Sequence, residues 1–340
     1  MRFVGLKSWS MIMTFVIASV LMCFVSSCAK EVTETTLEVQ KRIYGSYIRA
    51  NGYQDAEMIG DDIYVLERGG APSGVSPKDS TYAYVQYSAR SISGGYLAHN
   101  YEHLAKQLGT YKTTNFYGDY VWPISMNFIS DPLSKVLKTM KPGEKSLCIV
   151  PPWLNTSNAV TAYSSTTDPV IYEIELKTVV DDVLEHQREL LKEFSYKYFG
   201  GIDSLALGFY CDKIYDSGYK DTITDNASIK VWYVGRFLSG KVFDTNIEDT
   251  AKMYDLHVAN KTYSPLTITY QKDLEKFKEE SDLVAGFCKA ILSNDITYGD
   301  KCYTFFDSDW GYGRSGSLSG GKGIPPFYPI SFEIWLESND

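Results

Sequence analysis

The chain is poor in the groupings that hold metals. Six cysteines and four histidines stand among 340 residues. No two cysteines form a C-x-x-C pair, and no H-E-x-x-H run occurs. His99, His103, His186 and His257 are scattered, whereas a zinc site needs ligands at short, defined spacings. His99 and His103 do stand four residues apart, a spacing that predicts one solvated helix face. Positive charge is scarce as well: 33 Lys and Arg face 42 Asp and Glu, a formal net charge of -9. With no basic cluster, nucleic acid is excluded as the expected partner, and so is a polybasic hold on a membrane surface. Long apolar runs are confined to the start. After residue 27 nothing approaches the roughly 20 apolar residues of a spanning helix.

That start reads as an address. Arg2 and Lys7 precede the short apolar run Met11 to Phe24, and Val25-Ser26-Ser27-Cys28 resembles a bacterial lipobox. Residues 1–27 are expected to be a cleaved lipoprotein signal, leaving Cys28 lipidated at the new N-terminus; an uncleaved anchor is the alternative. Ala29, in place of Asp, resembles lipoproteins sorted to an outer membrane, and Lys30-Glu31 faintly resembles a surface-export signal. The expected location is the bacterial cell envelope, lipid-anchored at the outer membrane, with the periplasmic and surface sides both open. Cys148, Cys211, Cys288 and Cys302 sit within apolar or alternating runs. They are expected to be buried free thiols, although disulfides are open to an exported protein.

The body of the chain repeats itself. A helix with Leu37, Ile43, Tyr47 and Ile48 on one face precedes the strand-like DDIYVLERGG and the alternating YAYVQYSARSISGG. DDVLEHQRELLKEFSYKYF, with Val183, Leu184, Leu191 and Phe194 on one face, precedes GFYCDKIYDSG and SIKVWYVGRFLSGK. The ends match too: DPLSKVLKTMKPGEKSLCIVPP and VIYEIELKTV in the first copy, DLVAGFCKAILSNDITYGDKCYTFF and PISFEIWLES in the second. Each copy predicts an antiparallel sheet with one short helix, an α+β class. The expected organisation is a tether and helix over 28–53, a first domain over 54–180, a linking helix over 181–200 and a second domain over 201–340.

Within Val231 to Leu336 four motifs follow in order: VWYVGRFLSGKVFDT, LVAGFCKAI, FFDSDWGYG and, after a Gly- and Ser-rich loop, GIPPFYPISFEIWL. This order resembles the FKBP-type peptidyl-prolyl cis-trans isomerases. The resemblance implies two tandem FKBP-like domains, each a curved antiparallel sheet wrapped around a short helix. It further implies a proline pocket in the second: Tyr233, Asp244 and Tyr312 as the catalytic polar groups, and Phe243, Leu266, Val284, Phe287, Ile324 and Phe332 as the substrate-binding wall. Tyr312 would donate to the carbonyl before the proline, with Asp244 and Tyr233 orienting the twisting bond. Any one of these aromatics alone would read as core; their joint order carries the resemblance.

The chemistry accounts for such a pocket. Rotation about a peptide bond costs about 18–20 kcal/mol, and X-Pro exchange takes tens to hundreds of seconds or so uncatalysed. The planar amide is more polar than the twisted one, so water favours the ground state. A dry aromatic pocket removes that preference, and about 4 kcal/mol of differential binding gives a thousandfold in rate. Neither nucleophile nor cofactor is needed.

Departures from the family pattern are visible. Phe287 stands where tryptophan is usual, Leu266 where an aromatic is common, and the stretch from Asp244 to Pro265 is long. The loop Gly313 to Gly323 is expected to be mobile and to cover the pocket. In the first copy Tyr87 survives, but Leu97-Ala98 replace Phe-Asp, PPWLNTSNAVTAY has no Tyr-Gly, and an insertion runs from Asn100 to Tyr120. That domain is expected to be degenerate and to serve spacing, dimerisation or the holding of unfolded chains. The functional expectation is a folding helper, with chaperone character, for proline-containing exported polypeptides. A binding lipoprotein without useful catalysis, and a polysaccharide-binding surface protein rich in tyrosine, remain open.

Overall fold

The computed structural model describes residues 34–60, 62–125, 128–155, 163–317 and 323–338. Cys28 and the N-terminal address lie outside them. The described residues divide into two units, on either side of the Ser46–Tyr47 bond. Helix α1 (Thr36–Ala50) opens with a reciprocal cap, in which Glu38 N donates to Thr35 Oγ1 and Thr35 N to Glu38 Oε2. Leu37 and Ile43, expected on its apolar face, are exposed; Tyr44 and Ile48 are the buried positions.

The second unit is mixed α/β, with two antiparallel sheets. The first holds β1 (Glu57–Ile59), β2 (Ile63–Gly70), β3 (Tyr82–Ser91), β4 (Tyr96–His99), β5 (Tyr120–Pro123), β6 (Glu144–Val150) and β7 (Val170–Val180), in the order β1-β2-β6-β7-β3-β4, with β5 also on β3. The second holds β8 (Phe209–Tyr215), β9 (Ser228–Phe237), β10 (Val242–Thr245), β11 (Leu266–Thr269), β12 (Lys301–Phe306) and β13 (Ile330–Leu336), in the order β10-β9-β13-β12-β8, with β11 also on β9. Counted from β2 and from β8, both run first, fifth, sixth, second, third, and in both the fourth strand shares the edge of the second. The two lobes thus have one topology.

Period-two burial drives each sheet. Ala83, Val85, Tyr87 and Ala89 of β3 turn inward, as do Ile229, Val231 and Phe237 of β9. Each lobe covers its apolar face with a short helix. In the first it is α3 (Asp131–Thr139), which buries Leu133, Val136 and Leu137. In the second it is α7 (Ala285–Ile291), which buries Phe287, Cys288 and Ile291, with α6 (Leu274–Ser281) adding Phe277. Cys148, Cys211, Cys288 and Cys302 are buried free thiols, and burial pushes the Cys148 thiol up to about 12.

The edge of β3 is divided between β4 and β5, and that of β9 between β10 and β11. At each division an asparagine takes over from the missing strand. Asn100 accepts from Tyr87 N (2.7 Å) and donates to the Val85 carbonyl (3.0 Å). Asn246 accepts from Tyr233 N (2.8 Å) and donates to the carbonyls of Val231 (2.9 Å) and Ser264 (3.1 Å). The helical reading of His99 and His103 fails at this point. His99 closes β4 and His103 belongs to α2 (Glu102–Gln107), so the chain turns at Asn100 and no helix face is shared.

Between the lobes runs α4 (Val183–Phe199), capped by Asp182, whose side chain accepts from Leu184 N and Glu185 N, and closed by Gly200 in the left-handed region. Its buried stripe is Val183, Gln187, Leu191 and Ser195, with Leu184 and Phe194 only half-buried. Two of the four are polar, so apolar periodicity does not reveal them. Gln187 is fully buried and clamps the second lobe twice: its Nε2 donates to the Phe327 carbonyl (3.0 Å), and its Oε1 accepts from Ser308 N (2.8 Å). Gln187→Leu leaves both backbone groups buried and unpaired, at about 1–3 kcal/mol each. The full chain should therefore lose roughly 2–6 kcal/mol in urea unfolding; a loss below about 0.5 kcal/mol would mean that the clamp is not holding the fold.

Candidate functional site

The second lobe gathers its predicted wall by register. In the sheet Gly235 of β9 pairs with Phe332 of β13 on one side and with Asp244 of β10 on the other. The β10 ladder shifts register between Val242 and Asp244, a bulge at Phe243. Glycine is required at 235 by close approach: a Cβ there would lie 2.6 Å from Phe243 Cε2 and 2.8 Å from Phe332 Cε1. In its absence the rings close over the strand. Phe243 and Phe332 meet at 5.6 Å and 87°, Phe332 and Phe287 at 5.2 Å and 83°, and Tyr233 and Phe287 at 5.7 Å and 90°. These are edge-to-face contacts, the arrangement that ring quadrupoles favour.

Helix α7 supplies Phe287 from below. Val284, extended at its N-cap, is half-buried and packs on the same core, as does Leu266 at the head of β11. Ile324 is fully buried in that core. Tyr312 sits half-buried in the turn after β12. That turn is held by Gly286 N donating to the Trp310 carbonyl (2.7 Å), by Gly313 N donating to the Ser308 carbonyl (2.7 Å) and by Gly316 N donating to the Tyr312 carbonyl (3.0 Å). Of the loop Gly313 to Gly323, expected to be mobile and to cover the pocket, residues 313–317 and Gly323 are described, and Ser317 N donates to the Ile324 carbonyl (2.7 Å); residues 318–322 lie outside the described residues.

The polar members share one edge. Tyr233 Oη donates to Asp244 Oδ2 at 3.0 Å. Burial, then the Asp244 charge and its hydrogen bond, then Tyr312 hold the Tyr233 phenol well above the usual range, so it stays a protonated donor. Tyr312 therefore lies within electrostatic reach of that pair. A fixed donor–acceptor edge beside an apolar box can align an amide without any group changing its charge.

The first lobe places other residues at the equivalent positions. Tyr172 of β7 pairs with Ala89 as Phe332 pairs with Gly235, and it is fully buried with its hydroxyl on the Tyr163 carbonyl (2.6 Å). Tyr87 packs on Trp122 at 5.0 Å, and Trp122 is fully buried. Leu97, where the second lobe has its Phe-Asp pair, is exposed.

Four residues that matter escaped the sequence reading. Asn246 and Asn100 each stand thirteen residues after their tyrosine, a signal available to a repeat comparison. Gly235 carries no motif of its own. Phe116, in the first-lobe insertion, belongs to the core of the second lobe and meets Phe237 at 5.1 Å and Tyr328 at 4.7 Å. Elsewhere, a cavity of about 460 Å³ beside α4 is lined by Tyr84, Asp119, His186, Phe194 and Tyr328 among others and contains none of the predicted site residues. Among the described residues no group of three or more His, Cys, Asp or Glu is placed to hold a metal ion.

Gly235→Ala tests the box directly. Overpacking of this kind costs about 1–3 kcal/mol, and the displaced rings should broaden or shift the aromatic NMR signals of Phe243 and Phe332. Unchanged stability and spectra would mean that the rings have room that the contacts deny.

No family model matches this chain. Among solved structures it is similar to the three FKBP domains of wheat FKBP73, at 17% identity over 83% of this chain and 98% of that one, with a TM-score of 0.29. It is also similar to a peptidyl-prolyl cis-trans isomerase from Pseudomonas syringae pv. tomato, at 24% identity over 47% and 97%, TM-score 0.31. FkpA from Escherichia coli matches at 15% identity over 52% and 74%, TM-score 0.32. With TM-scores this low, the function rests on the geometry of the site.

Proposed function

We propose that the second lobe is an FKBP-type prolyl site and that the protein is a peptidyl-prolyl cis-trans isomerase. The observation that carries this is the edge-to-face box of Tyr233, Phe243, Phe287 and Phe332, bordered by the 3.0 Å Tyr233–Asp244 hydrogen bond. The rings receive the pyrrolidine, with Val284, Ile324 and Leu266 completing the wall. Tyr312 donates to the carbonyl preceding proline, while the Tyr233–Asp244 pair orients the amide as it twists. Dry walls lower the barrier because they withdraw the solvation that favours the planar amide, and the fixed polar edge needs no reorganisation. The substrates are proline-containing segments of exported polypeptides, and the place of work is the bacterial envelope, with the lipid on Cys28 as anchor at the outer membrane. The first lobe acts as a degenerate FKBP-like domain.

A second reading is favoured by one observation. Phe243, Phe287, Ile324 and Phe332 are between 0 and 5% exposed, so a folded box this tightly closed fits a binding lipoprotein with little turnover. The two readings separate on prolyl exchange of a peptide series by the full chain. The full chain is required because Phe116 and Gln187 are part of the second lobe's packing. Tyr312→Phe and Asp244→Ala should each lower kcat/KM about tenfold, the loss of one hydrogen bond's worth of transition-state stabilisation. Full activity in both variants would discard this site. A folded parent that does not accelerate exchange would leave the binding module.

A further inference from the structure

The insertion of the first lobe reaches the second lobe where the prolyl site is bordered. Its turn, closed by Asn115 N donating to the Lys112 carbonyl, touches three separate segments. Lys241, two residues before Phe243, donates from Nζ to the Asn115 carbonyl (2.5 Å). Thr113 Oγ1 donates to the carbonyl of Asp255 (2.7 Å), just past helix α5 (Glu248–Met253) in the long stretch that follows Asp244. Gly323, next to Ile324, lies so close to the turn that a Cβ on it would stand 2.2 Å from the Thr114 carbonyl oxygen, and its φ of +62° is in the left-handed region. Phe116 then enters the core against Phe237, which in turn meets Phe243 at 5.2 Å. The insertion therefore touches the turn before β10, the segment after α5 and Gly323 at once.

Given the prolyl reading above, on which this rests, we propose that residues 112–116 form a wall of the second lobe's substrate groove and contact the polypeptide on residues flanking the proline. The chemistry of this wall suits a peptide chain. Thr114 and Asn115 are exposed, and among the described residues the backbone N–H groups of Thr113 and Thr114 have no hydrogen-bond acceptor within the chain. Beside them Tyr111 and Tyr117 stack at 5.3 Å and 19°, with Lys106 and Lys241 over their faces at 5.1 and 5.3 Å. Unpaired amides next to an aromatic ledge offer hydrogen bonds to a main chain and apolar contact to its side chains. The first lobe thus determines which sequences around a proline the second lobe accepts.

The test uses the full chain carrying p-benzoylphenylalanine at position 114, and a second sample carrying it at the exposed Met58 of β1, on the opposite edge of the first sheet. Each is irradiated with a carboxymethylated, permanently unfolded polypeptide containing several prolines, with and without excess of a short X-Pro peptide. Prolyl exchange by the unlabelled parent is measured in parallel. The expected result is an adduct at 114 at least fivefold above that at 58, reduced at least twofold by the short peptide. If the parent catalyses exchange but the two positions label equally, the wall is refuted and the prolyl site stands. If the parent does not catalyse, a competed adduct at 114 keeps the wall as part of a binding groove, and equal labelling overturns both. Thr114→Glu, at an exposed position that should leave folding unaffected, adds a kinetic check. It should change kcat/KM at least threefold more for peptides extended three residues to either side of proline than for the shortest peptides. Equal effects on both lengths would count against the wall.

Discussion

Both lobes depend on a carboxamide doing the work of a strand. A long central strand needs partners along both edges, because each buried N–H or C=O left unpaired costs about 1–3 kcal/mol. In β3 and β9 one edge is served by two short strands with a gap between them, and Asn100 and Asn246 bridge the gap with one acceptor and one donor each. An asparagine side chain offers the same pair of groups as a peptide unit. With the ladder satisfied, the chain is free to leave the sheet at that point. It does so in both lobes, to make the insertion from Asn100 to Tyr120 and the α5 segment. Those excursions meet at the Thr113–Asp255 hydrogen bond, one of several contacts between the two halves.

From this common frame the lobes diverge by what occupies one register position. Ala89 and Gly235 lie opposite Tyr172 and Phe332. In the first lobe the residue at that position is Ala89, and the tyrosine opposite it is fully buried in a core that also holds Trp122. A hydrogen in the second lets Phe243 and Phe332 swing over the strand and form a box with Phe287. Core space in a protein is allocated to within a methylene, so one missing Cβ decides which rings close over the strand and where the Tyr233–Asp244 pair borders them. The bulge at Phe243 assists, since it turns that ring inward and leaves Asp244 in register beside Tyr233.

Much of this was legible in the sequence. The alternating runs became β3, β7, β9 and β13, and the amphipathic segments became α3, α4 and α7, because period and burial are local properties. The box residues were legible only through their order along the chain. What local pattern cannot report is who meets whom. His99 and His103 have helical spacing, yet a strand ends between them, and the cause is a side-chain bond to Tyr87 and Val85 far back in the chain. Ile48, Val183 and Leu191 are buried as their stripes predict, but Leu37 and Ile43 are apolar and exposed, and Gln187 and Ser195 are polar and buried, so a hydrophobic stripe marks only part of the inner face of each helix. Phe116 reads as an aromatic in a loop. Its role depends on a lobe that begins some ninety residues later.

The linking helix gives the candidate chemistry its rigidity. A polar edge helps a twisting amide only if its donors are already aimed, since reorganisation during the reaction would consume the advantage. The turn that carries Tyr312 begins at Asp307 and Ser308, and both are held from α4: Arg188 Nε donates to Asp307 Oδ2 at 3.0 Å, and Gln187 takes Ser308 N. Asp307 is buried, which raises its pKa, while Arg188 opposes the rise. Downstream, Phe327 is held by the same glutamine. One side chain therefore ties both ends of the segment that brings Tyr312 to Tyr233 and Asp244. A helix that would otherwise serve as a spacer between two lobes becomes part of the frame of the site, and the two halves of the chain act as one unit in presenting it.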